Sequence, residues 1–170
     1  YRYALPLLLK YGIKGAFYPP TEAITKRKLL DVNKIHLILA ANANRTEIKN
    51  DIRDYIDGVA SASLDKSFKD YYQELAIANR FDTAETIFIK RILQHGLPTP
   101  RRKELTDWLF KRHVDVSETV AAEELYMNLE QLKVLLKLGM HVGSHGYKHQ
   151  WLDKLSEKEL QEEMERSVDF

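Results

Sequence analysis

Three histidines fall at four-residue intervals, His141, His145 and His149, inside the stretch GMHVGSHGYKHQWLDKLS at residues 139–156. Neutral imidazole suits Zn²⁺ or another borderline transition metal, and a catalytic site takes three protein ligands while leaving a position for water. The same spacing would also set all three rings on one face of a helix, and six histidines in 170 residues can produce it by chance. Gly143, Ser144 and Gly146 argue against a helix, because glycine in a helix interior costs about 1 kcal/mol relative to alanine. A short strand running into a glycine-bearing loop fits these residues better. Alternation along Met140-His141-Val142 then sends His141 to the side opposite its neighbours, and it reads as structural. His145 and His149 lie in the loop beyond, close enough to converge on one ion. Two imidazoles are an incomplete set, so a carboxylate from elsewhere must complete it.

Such a loop needs a strand to carry it. NLEQLKVLLKLGMHVGSH (128–145) places Leu129, Leu132, Leu135 and Leu136 at helical spacing, with Gly139 after the last turn, where glycine accepts the left-handed conformation that ends a helix. Asn128 with Gln131 makes an N-cap pair. LLLKYGIKGAFYPP (7–20) repeats the plan, with an apolar helical run, Gly12, and a strand from Ala16 to Tyr18. Two units of helix, glycine and short buried strand imply an α/β architecture with parallel strands. After the histidine loop, Ser156 and Glu159 form a capping box and Leu155 can staple onto Leu160. Leu160, Met164 and Val168 then mark the apolar face of a last helix.

Residues 21–127 read as a mainly helical insertion or cap, a lid or side wall, within one partial catalytic domain spanning 1–170. LLDVNKIHLILAANA (29–43) is apolar on most sides, RTEIKNDIRDYID (45–57) is amphipathic, and the runs 66–81, 83–96, 101–113 and 117–127 keep helical spacing. Composition bounds the function. Twenty-six Lys and Arg balance twenty-five Asp and Glu, so nothing electrostatic calls for nucleic acid. There is no cysteine, hence no thiolate nucleophile and no cysteine-bound zinc. The longest apolar runs are far too short to span a bilayer, and no secretion leader is visible.

GMHVGSHGYKHQWLDKLSEKELQEEMERS (139–167) is similar to the second conserved motif of the polysaccharide deacetylases, carbohydrate esterase family 4 or the NodB homology domain. That motif typically reads G-H-E-I-G-[SN]-H-[ST]-x-x-H, followed by Leu-Ser and an acidic helix. LPLLLKYGIKGAFYPP (5–20) resembles the segment that follows the family's first motif, T-F-D-D-G. The two pieces cover roughly the first 20 and the last 45 residues. The resemblance implies part of a distorted (β/α) barrel that hydrolyses N-acetyl groups from an amino sugar or polysaccharide. It implies that His145 and His149 hold a divalent metal, Zn²⁺ first among candidates, together with an Asp of the first motif. Tyr147 and Trp151 become candidates for contact with the N-acetylated carbohydrate. The catalytic base and acid are expected outside this chain, which should then be inactive alone.

The sequence departs from the pattern in two places. Gly146 replaces the usual Ser or Thr, removing a hydroxyl that would fix the loop, and Met140-His141 replace His-Glu. His36, His95 and His113 read as surface or core residues, and Asp153 as an exposed turn residue. A reading of another class remains, in which the fold serves as a non-catalytic carbohydrate- or partner-binding module.

Overall fold

The structure, a computed structural model, describes residues 1–59 and 61–169. The chain divides into two compact units, one built from Tyr1–Leu30 and the residues from Glu118 onward, the other from Asp31–Ser117. The first unit begins with α1 (Ala4–Lys10), β1 (Ala16–Phe17) and α2 (Thr21–Lys26). The second contains α3 (Asp31–Ala41), α4 (Arg45–Asp54), α5 (Phe68–Leu75), α6 (Ala84–Arg91) and α7 (Thr99–His113). The first then resumes with α8 (Glu118–Leu125), α9 (Leu129–Lys137), β2 (His141–Val142) and α10 (Glu157–Val168).

Among the described residues the sheet consists of β1 and β2, parallel, with Ala16 opposite His141 and Phe17 opposite Val142. Two strands do not close a barrel. Each strand follows a helix and a glycine, and the glycines do what only glycine does cheaply: Gly12 has φ +65° and Gly139 φ +73°. The ladder is longer than the strands themselves. The N–H groups of His141, Gly143 and His145 donate to the carbonyls of Gly15, Phe17 and Pro19 at 2.9, 2.9 and 3.3 Å. This every-second-residue pattern carries extended pairing up to the first histidine of the loop.

Side-chain alternation follows. Met140 is buried and Val142 half-buried in a core of Leu5, Ile24, Leu132 and Leu135, while His141 is exposed. The Met140 sulfur also accepts the Gly15 N–H at 3.2 Å. Of the four leucines on α9, Leu132 and Leu135 are buried, whereas Leu129 and Leu136 face solvent. The capping boxes expected at Asn128–Gln131 and Ser156–Glu159 are both formed.

The last helix buries a different face from the one its hydropathy suggested. Leu160 is half-buried, but Met164 and Val168 are exposed, and the buried residues are Glu163 and Ser167. A hydrogen bond from the histidine loop to Glu163, described below, selects this face. The bounds of the helical unit also differ from 21–127. Thr21–Lys26 and Glu118–Leu125 fall in the first unit, because the Leu29 and Leu30 N–H groups bond Glu118 Oε1 at 3.2 Å and Tyr126 Oη at 3.0 Å.

Within the helical unit, α3 packs along α7 and α4 against α6. Ile35, Ile38, Ile48, Ile52, Phe88, Leu105 and Leu109 are all fully buried there. Buried Lys34 ties α3 to Asp107 of α7 at 2.6 Å. No helix among the described residues is long and apolar enough to cross a membrane.

The core assignment of α9 is testable by substitution. Leu135→Ala should cost about 3 kcal/mol in denaturant-induced unfolding, and Leu136→Ala less than about 0.5 kcal/mol. Equal costs would contradict the packing described.

Candidate functional site

The loop after β2 is built almost entirely from backbone constraints. The ladder fixes its first residue, His145. Chain reversal then needs left-handed backbone at Gly146, φ +76°, and again at His149, φ +58°. Glycine adopts this conformation freely, whereas a residue with a Cβ is strained by about 1–2 kcal/mol. His149 therefore sits where local preference would not put it, and neighbouring contacts must hold it there.

Those contacts come from both sides. The carbonyls of Gly146 and Tyr147 accept the N–H groups of Thr21 and Glu22, at 3.1 and 3.0 Å. These are donors of the first turn of α2, which lack partners within their own helix. On the other side, Lys148 donates its N–H to Glu163 Oε1 of α10 at 2.6 Å. The rings of His145 and His149 end with their centroids 4.8 Å apart and tilted by 49°. Both residues are exposed. Two adjoining imidazoles are the donor type that a borderline divalent ion takes.

The ring of His141 lies 5.5 Å from that of Tyr18. Tyr18 lies across the strand where a Cβ on Gly143 would come within 2.6 Å of it, which explains glycine at that position. Tyr147 lies under the loop and is buried. The Lys26 ammonium and the Arg166 guanidinium stand 5.6 and 5.3 Å from its ring centre. Lys26 is held above its ordinary range, first by its hydrogen bond to Glu22 and then by one to Tyr147. The ring is thus enclosed by groups of α2 and α10. Trp151, by contrast, is 53 % exposed two residues past His149. Asp153 is exposed and pairs with its neighbour Lys154 at 3.0 Å.

A set of three possible metal ligands does occur among the described residues, but in the helical unit: Glu47, Asp51 and His113, with ligand atoms within 4.8 Å of one another. Its members are already engaged. Arg112 Nε and His113 Nε2 both bond Asp51 Oδ2 at 2.8 Å. Asn42 Nδ2 contacts Glu47 Oε2 and His113 Nδ1, each at 3.1 Å. With Nδ1 accepting from the amide, the imidazole proton lies on Nε2, facing the carboxylate. The resident cation is the Arg112 guanidinium, and the cluster links α4 to α7.

Sequence spacing singles out the two loop histidines as candidates. It missed Glu163, Thr21 and Glu22, the groups that hold the loop. The one trace of Glu163 in the sequence is a carboxylate in phase with Leu160 and Ser167 on one face of α10.

A family model described as Polysaccharide deacetylase matches residues 81–170, just over half of the chain. The matched segment contains α9, β2, the histidine loop and α10, and it starts within the helical unit. This chain belongs to the polysaccharide deacetylase family. No curated protein and no solved structure matches it.

Strain at His149 generates an expectation about stability. His149→Gly should stabilise the folded chain by about 1 kcal/mol, read as a rise in unfolding midpoint, whereas His145→Gly should not. A destabilised His149→Gly variant would show that the imidazole, rather than the backbone, is what the fold needs there.

Proposed function

We propose that this chain carries part of the active site of a metal-dependent hydrolase that removes N-acetyl groups from an amino sugar or polysaccharide. The observation behind this reading is the pair of exposed, adjoining imidazoles of His145 and His149. They stand on a loop fixed by a parallel ladder, inside the segment that matches the deacetylase family. Loops beyond the C-terminal ends of parallel strands are where α/β folds gather their reactive groups.

In this reading His145 and His149 supply two ligands to a divalent ion, Zn²⁺ first among candidates. A carboxylate supplies the third, which the resemblance assigns to an Asp of the family's first motif. When bound, the ion polarises the acetamide carbonyl and lowers the pKa of its water. The chain's own contribution is to hold both imidazoles at fixed separation and to keep their nitrogens accessible. Trp151, an exposed aromatic residue beside the pair, is the candidate for contact with a sugar ring. The base and acid of the reaction are assigned to other parts of the protein, so residues 1–170 alone are expected to be inactive.

The parallel pair β1–β2, with a helix before each strand, is read as one portion of a distorted (β/α) barrel. The apolar side chains of Leu7, Leu9 and Leu136, all exposed on α1 and α9, are consistent with faces that further barrel elements cover.

Acetate release from N-acetylglucosamine oligosaccharides by the full-length protein tests the proposal. His145→Ala and His149→Ala should each lower kcat/KM by roughly a hundredfold or more and reduce bound metal in parallel. Unchanged acetate release in both variants, or family-like rates from residues 1–170 alone, would overturn it.

A further inference from the structure

We propose that Glu163 is a positioning residue for the histidine loop: its carboxylate fixes the turn between His145 and His149, and so sets the separation of the two imidazoles before any ion arrives. The inference rests on the reading of these histidines as ligands and adds a residue that the ligand pattern itself does not contain.

Glu163 stands in the highly charged helix EKELQEEMERSV, yet it is 3 % exposed while Glu162 and Glu165 are exposed. A buried carboxylate is costly unless hydrogen-bonded. Its Oε1 accepts the N–H of Lys148 at 2.6 Å, a short bond that reaches the residue directly before His149. The same oxygen occupies the space beside Gly146, where an added Cβ would come within 3.1 Å of it. The loop thus lacks a side chain at residue 146, and the α10 carboxylate stands in its place.

The bonding of the loop isolates this contact. His145 N, Gly146 O and Tyr147 O are held by backbone groups of Pro19, Thr21 and Glu22, whereas Lys148 N is held by a side chain. It is therefore the one of these four bonds that substitution can remove. It also adjoins His149, whose left-handed backbone persists only where surrounding contacts impose it. Without the Glu163 acceptor, His149 is free to relax toward ordinary φ, and its imidazole moves relative to that of His145.

The test is Zn²⁺ affinity of the full-length protein by competition with a chromophoric chelator, together with amide exchange at Lys148. Glu163→Met keeps length and loses the acceptor; it should weaken Zn²⁺ binding by about 10- to 100-fold and speed exchange at Lys148. Glu163→Gln keeps an acceptor oxygen and should stay within about threefold of the parent, a rescue that a merely structural role would not produce. If Glu163→Met does not fold, Glu163→Asp, shorter by one methylene, takes its place with the same expectation. His145→Ala separates the two claims. Zn²⁺ binding that ignores His145→Ala overturns the ligand reading and this inference with it. Binding that depends on His145 but is unchanged in Glu163→Met, or in Glu163→Asp, overturns the positioning role alone.

Discussion

The candidate site depends on a single alternation, the donation of every second N–H from His141 to His145 onto the carbonyls of Gly15, Phe17 and Pro19. This parallel ladder joins two segments that lie far apart in the chain, and its side-chain period decides what each residue of the motif can do. Met140 and Val142 are drawn into the core of Leu5, Ile24, Leu132 and Leu135. His141 is turned outward. His145 is delivered at the ladder's end, where the pleat stops and the backbone is free to turn. A slip by one residue would exchange the buried and exposed sets, so the hydrophobic core and the placement of the histidines are one constraint.

Beyond the ladder, the loop is held by groups that other elements leave over. The first turn of α2 has N–H donors with no helical partner, and the carbonyls of Gly146 and Tyr147 meet them. A carboxylate from α10 meets the N–H of Lys148. Each bond satisfies two polar groups at once, and together with the buried Tyr147 ring they fix a segment with strained backbone at His149. Preorganisation of this kind is what a ligand pair requires, since imidazoles that must be ordered on binding lose affinity to the ordering.

Much of this was legible in the residues. Gly12 and Gly139 marked helix ends, Asn128 and Ser156 marked helix starts, and the parallel pairing followed from the repeated plan of helix, glycine and strand. Glycines 143 and 146 separated the histidines into a strand residue and loop residues. The buried face of α10 was not legible. Hydropathy favours Leu160, Met164 and Val168, but a charged residue is buried there by a specific bond to a partner 15 residues away, and such a bond leaves no periodic trace. The burial of Tyr147 was not legible either, because its place beside Lys26 and Arg166 depends on two other helices.

The central claim is that one divalent ion is held by both His145 and His149. X-ray absorption at the metal edge of the metal-loaded full-length protein tests it most directly, because imidazole rings scatter with a recognisable multiple-shell signature. Two imidazoles per ion in the parent, falling to one in either His145→Ala or His149→Ala, is the result this account predicts. A spectrum without imidazole scattering, or one that neither substitution alters, would contradict it.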